Sequence, residues 1–206
     1  MAALVKSEGE ILDWTLLDDT GSDAPSAETP DIVKATELET HVLVVVAHAD
    51  TNDAAAAYVT VTLMGKLGAN LEDWRAIQTY QAGGGQSVTE ALDAASAAAQ
   101  TQIKVAATTD WDTGLGERLL LQNVGTLVNS ELVTIDGWAD ADYYTANENL
   151  SNSHDAGDGD ALYSGVNEIL IPIPAGLETF KITFHNSDGD ATYLVRADYY
   201  EVDSIG

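Results

Sequence analysis

The chain contains no cysteine, which removes disulfide staples, thiolate metal sites and cysteine nucleophiles together. Cations are scarce as well: eight Lys and Arg stand against 34 Asp and Glu, a formal net charge of −26. A polyanion of that size repels phosphate, so nucleic acid and anionic membrane surfaces are poor partners. The same acidity keeps proteins soluble and is a habit of high-salt settings, and the shortage of lysine fits a halophilic or marine one. Long apolar runs are missing too. The longest, residues 42–47, falls far short of the ~20 residues a membrane helix needs. The first ten residues show no cationic stretch followed by an apolar one, so a protein made in a cytoplasm without a secretion signal is expected. What is present is enough to fold, because 45% hydrophobic and 20% charged residues is the balance of a globular chain. At 206 residues it forms one compact domain or two small ones.

The apolar residues follow strand periods. Residues 41–48 form a short β-branched run, expected as a strand buried on both faces. Residues 58–64 alternate, with Val59, Val61 and Leu63 on one face and Tyr58, Thr60, Thr62 and Met64 on the other, which predicts a half-buried strand. Residues 73–80 alternate again until Gly83, Gly84 and Gly85 stop them. The alanine-rich segment 88–100 has helix propensity but little to bury, so a packed helix is not expected there. Short β runs return at turn-punctuated spacing over 103–106, 118–122, 131–135, 143–146 and 161–163, the pattern of a sandwich or small barrel. The last block carries 168–174, 178–184 and 191–202. Asp188-Gly189 predicts a hairpin between the final two, and Pro172 and Pro174 place the first at a sheet edge or strand end. The stretch 18–30 reads as a loop or mobile arm after a strand around 11–17.

Candidate sites are few. Asp155, Asp158 and Asp160 with Gly157 and Gly159 make the best calcium candidate, because a glycine-rich loop can turn several carboxylates onto one hard cation. The EF-hand pattern fails, since its twelfth position is Val166; no other cofactor is expected. Asn186, Asp188 and Asp190 read as turn chemistry. His41, His48, His154 and His185 stand at no helical ligand spacing, and His41 and His48 are too far apart along an extended strand to share a metal. No serine sits in a Gly-x-Ser-x-Gly elbow, and the triple glycine lacks the Lys-Ser/Thr of a phosphate loop. A non-enzymatic protein is expected. Trp14, Trp74, Trp111 and Trp138 are spread over different strands and turns, which suits core and interface anchoring.

The stretch 103–116, followed by Leu119 to Leu121, Ser130 to Ile135, Leu150 to His154 and Ala156-Gly157-Asp158, resembles a small β-module that recurs in phage structural proteins. Residues 46–50, Glu72 to Trp74, and 171–176 leading into Phe180 to Asn186 resemble accessory proteins of tailed-virus particles. The likeness spans about residues 40–206, and the extra acidic and glycine positions at 155–160 depart from it by lengthening a turn. It carries no catalytic residues. It implies an extended linker in the alanine-rich segment and a module at 101–167 inserted into a sandwich made by both chain ends.

The expected fold is therefore all-β: a discontinuous β-sandwich, jelly-roll or immunoglobulin-like, with an inserted small β-barrel-like module. Residues 1–35 form an N-terminal arm with one strand, 36–100 the first part of the sandwich and a linker, 101–167 the module, and 168–206 the completing strands. Neither end alone offers enough strands to close a two-layer core. The resemblance implies a structural virion protein, a capsid decoration or head-surface accessory protein made in the host cytoplasm. Its partners would be the major capsid protein or another shell protein, and further copies of itself with a trimer favoured. The alternatives are a surface glycan- or host-binding sandwich module and a self-assembling extracellular filament subunit.

Overall fold

The computed structural model describes residues 4–17, 26–34, 39–49, 58–66, 73–83, 89–106, 118–140, 142–187 and 191–205. It is all-β, with three antiparallel sheets and no α-helix among the described residues. The chain divides into two units. One comprises residues 1–46, 57–83 and 167–206, and the other 47–56 and 84–166.

The first unit contains β1 (Leu4–Leu17), β2 (Ser26–Glu28), β3 (Ile32–Val33), β4 (Thr40–His48), β5 (Tyr58–Lys66) and β6 (Arg75–Gly83). After the six strands of the second unit it resumes with β13 (Val166–Pro172), β14 (Thr179–Asn186) and β15 (Tyr193–Ile205). One sheet has the order β1-β15-β4-β13, the other β2-β14-β5-β6, with β3 also pairing β14. Their period-two patterns supply the core of a discontinuous sandwich. Val59, Val61 and Leu63 of β5 and Phe180, Ile182 and Phe184 of β14 are all buried, while Thr60, Thr62, Lys181 and Thr183 keep partial exposure on the other face. Across the interior the Tyr199 ring of β15 lies 6.1 Å from that of Phe180.

Three features differ from the sequence reading. Residues 1–35 carry three strands where one was expected: β1 runs antiparallel to β15 over nearly its whole length, and β2 and β3 both pair β14. Second, β14 and β15 do not form the hairpin that Asp188-Gly189 suggested, because they belong to different sheets. Both strands bury one apolar face, and crossing from layer to layer lets those faces meet across the core, whereas a hairpin would set them side by side. Asn186, wholly buried, holds the corner by donating from Nδ2 to the Ala191 carbonyl at 2.7 Å; residues 188–190 lie outside the described residues. Third, β6 does not alternate cleanly. A register shift between Leu63 and Met64 of β5 leaves Ile77 without a partner, a β-bulge in an edge strand. The proline expectation agrees with the structure, since β13 ends at Pro172 on the outside of its sheet.

The second unit contains β7 (Thr89–Ala91), β8 (Gln102–Lys104), β9 (Arg118–Gln122), β10 (Glu131–Asp140), β11 (Tyr143–Ala146) and β12 (Ala161–Tyr163). They form one curled sheet, a half-barrel of order β7-β12-β9-β10-β11-β8. Its outer strands meet: Leu92 bridges Val105, Asp93 N–H donates to the Lys104 carbonyl at 3.0 Å, and Lys104 pairs with Asp93. Leu92, Ile103, Leu119, Leu121, Tyr144 and Leu162 fill the interior. The alanine-rich segment is extended here. It supplies β7 and the bridges at Leu92 and Ser96, then turns through Ala99 at φ 63°.

Gly83 ends β6 at φ +100°, and a Cβ there would stand 2.9 Å from the Tyr193 ring. Both the backbone conformation and the space therefore require glycine. Gly83→Ala is expected to cost about 1–3 kcal/mol, read as a lower urea midpoint at unchanged m-value.

Candidate functional site

A connected group of buried polar side chains lies in the second unit. His154, fully buried, stands between two carboxylates. Its Nε2 is 2.9 Å from Glu131 Oε1, and its Nδ1 is 3.4 Å from Asp160 Oδ2. Three chain segments converge there. Glu131 opens β10; His154 sits in the turn after β11, where its backbone exchanges both hydrogen bonds with Ser96 at 2.9 Å; Asp160 precedes β12. The position of each follows from local register. Ser130 and Glu131 start a strand paired to β9, and the Ser96–His154 bridge fixes the turn.

Each carboxylate also gathers backbone donors. Glu131 accepts from Ser151 N–H at 2.8 Å and Asn152 N–H at 3.1 Å. Asp160, almost wholly buried, accepts from Val124 N–H at 2.8 Å through Oδ1 and from Asp155 N–H at 3.0 Å through Oδ2. The β9–β10 loop is closed by the same kind of bonding. Asn123 N–H donates to Ser130 Oγ at 3.0 Å, Thr126 N–H to Asn123 Oδ1 at 2.7 Å, and Asn123 Nδ2 to the Ser153 carbonyl at 3.2 Å. Buried polar groups cost stability unless paired; here the carboxylates are paired by binding loops together, while His154 Nδ1 has no hydrogen-bond partner. Burial opposes ionisation of Glu131, but the hydrogen bonds from His154, Ser151 and Asn152 outweigh it and hold the carboxyl below its ordinary 4.5.

The calcium candidates fall inside this network and divide its labour. Asp155 Oδ1 accepts from Gly157 N–H at 2.9 Å, capping a short 3₁₀ turn at Ala156–Asp158 that Gly159 ends at φ 87°. Asp160 is turned inward onto its backbone donors, and Asp158 is exposed. Among the described residues no three His, Asp or Glu side chains are grouped so as to hold a metal ion. His41 lies 3.4 Å from Glu39, His48 is buried at the end of β4 and His185 is exposed on β14. Trp14 is buried in β1, Trp74 carries two lysine ammonium groups over its ring, and Trp111 lies outside the described residues.

The spacing did not reveal Glu131 as the partner of His154, because 23 residues separate them. The one signal in the sequence was the expectation that both stretches, Ser130 to Ile135 and Leu150 to His154, belong to one β-module. A polar cleft of about 250 Å³ opens beside the network, lined by Arg118, Glu131, Thr134, Asn147, Asn149 and Ser151 among others.

The fold and this network define the class: a discontinuous β-sandwich interrupted by a half-barrel unit whose loops are tied together by Glu131, His154 and Asp160. The chain matches no protein-family model, and a search of curated proteins finds no significant similarity. No helix among the described residues is long and apolar enough to cross a membrane.

Glu131 binds its proton more weakly folded than unfolded, so its contribution is full above the ordinary glutamate value and is lost as pH falls through the folded one. Glu131→Gln is expected to lower stability at pH 7 by about 2–4 kcal/mol and to flatten the decline of the urea midpoint below about pH 5. An unchanged acid slope in the variant would exclude this role for Glu131.

Proposed function

We propose that this chain is a structural, non-enzymatic component of a tailed-virus particle, a decoration or head-surface accessory protein. The single observation that carries the reading, beside the resemblance, is the β9–β10 loop. Residues 123–130 contain no charged side chain in a chain of net charge −26, and they expose Val124 and Val128 at 48% and 56%. The loop is held in one shape by Asp160, Asn123, Ser130 and Ser153. A stiff, uncharged, apolar tip is what a protein-docking surface needs, because little conformational entropy is lost when it is covered.

In this reading the tip seats in an apolar recess of a shell protein, such as the major capsid protein. The acidic remainder of the surface keeps copies soluble before they dock. Attachment is multiplied by symmetry: several modest contacts from a homo-oligomer, a trimer by preference, act as one strong one. The network of Glu131, His154 and Asp160 contributes rigidity to the tip.

Particles purified by density gradient from a source that makes this chain are expected to contain it at a fixed ratio to the major shell protein, with its density on the shell in electron micrographs. Val124→Asp with Val128→Asp is expected to lower occupancy about tenfold or more while the far-ultraviolet circular dichroism stays that of the wild type. Recovery of the chain only in the soluble fraction would overturn the proposal.

A further inference from the structure

The uncharged tip has a charged neighbour. A Cβ placed on Gly125 would stand 3.5 Å from Asp158 Oδ2 and 3.9 Å from its Cγ, so this carboxylate lies against the β9–β10 loop beside Val124. Asp158 is exposed and closes the short turn at Ala156–Asp158. Asp160 ties that turn to the tip, because one of its oxygens accepts from Asp155 N–H at 3.0 Å and the other from Val124 N–H at 2.8 Å. The Asp158 carboxylate and the two exposed valines, Val124 and Val128, therefore belong to one surface whose parts keep their places.

The charge of that surface is not cancelled from within. Asp158 makes no ion pair among the described residues. Lys104 and Arg118 are the only lysine and arginine in the second unit; Lys104 pairs with Asp93, and Arg118 opens β9 at the end away from the loop. His154 is buried between Glu131 and Asp160. Asp155 adds a second exposed carboxylate to the turn, although its Oδ1 is engaged by Gly157 N–H. The tip is thus an apolar contact flanked on one side by excess negative charge.

We infer that the protein surface receiving the tip is an apolar recess with a lysine or arginine at its rim, placed to face Asp158. Covering Val124 and Val128 strips water from the carboxylate beside them, and a carboxylate that loses water without gaining a counter-charge opposes binding. A recess of apolar residues alone would fit the valines and reject their flank. A cation at the rim removes that conflict. It also sets the orientation of the docked chain, since apolar contact is non-directional and a charge pair fixes register. The inference rests on the docking role proposed above and adds to it the chemistry of the partner.

The test is release of the chain from gradient-purified particles by rising salt, from ~0.1 to ~1 M, with circular dichroism of each free variant as the folding control. Asp158→Asn is expected to weaken attachment about tenfold, and Asp158→Lys by more, so that both leave the particle at lower salt than wild type. Glu178→Gln, which removes an exposed carboxylate from the first unit, is expected to leave with wild type. Release of the Asp158 variants together with wild type, or after it, overturns the inference, while loss of occupancy in the Val124, Val128 variant still upholds docking. Equally early release of Glu178→Gln also overturns it, by making the effect one of bulk charge. A wild type absent from particles overturns the docking role and the partner chemistry with it.

Discussion

The sandwich depends on the pairing of β1 with β15, which joins the two ends of the described chain: Leu4 lies opposite Ile205 and Leu17 opposite Tyr193. Trp14 and Leu17 on one strand and Leu194, Val195 and Ala197 on the other are buried, and β15 is also the strand that connects β1 to β4 and β13. Until β15 is present, the four-stranded layer has no centre. Contacts of such sequence separation close large loops before they return any burial energy, so slow folding is expected of this topology. At ordinary synthesis rates β1 waits ~10 s or more for its partner. Glu8, Gly9, Glu10 and Asp13 suit that wait, since they interrupt what would otherwise be a long apolar strand.

The second unit solves a different problem. Its sheet is made of short strands, three of them only three residues long, and pairing over so few residues specifies register weakly. The Glu131, His154 and Asp160 network supplies what the ladders lack, because each member accepts or donates in directions that allow one arrangement of the loops. Its bonds run from Glu131 to His154 Nε2, Ser151 and Asn152 and from Asp160 to Val124 and Asp155, while His154 Nδ1 stays 3.4 Å from Asp160 without a hydrogen bond. Through Asp160, which accepts from Val124 N–H, it also ties down the β9–β10 loop, half of whose residues are exposed.

How much of this was legible in the sequence follows from which signals are local. The alternation of residues 58–64 set both faces of β5 because period two acts within one strand. Pro172 marked the end of an edge strand because a missing N–H is a property of the residue itself. The absence of a helix at 88–100 followed from how little those alanines can bury. Asp188-Gly189 misled because turn chemistry tells where a chain reverses and not which sheet receives the next strand; that choice depends on what Phe180 and Tyr193 pack against. Residues 4–10 were missed as strand because their acidic side chains hide the pattern, and only the distant partner makes them part of a ladder. The partnership of Glu131 with His154 joins residues on separate turns, so no spacing rule reaches it.

The strand edges share one further property. In the curled sheet the Leu92–Val105 bridge joins the chain just past β7 to the chain just past β8, so the two outer strands meet at that end. In the sandwich each edge is spoiled by a different device: β6 by the bulge at Ile77, β13 by Pro172, β1 by two glutamates and three register shifts, and β2 and β3 by being three and two residues long. An intact straight edge is a template for cross-β aggregation. Among the described residues of the sandwich no edge runs long, straight and unbroken, which works against edge-to-edge pairing of crowded copies.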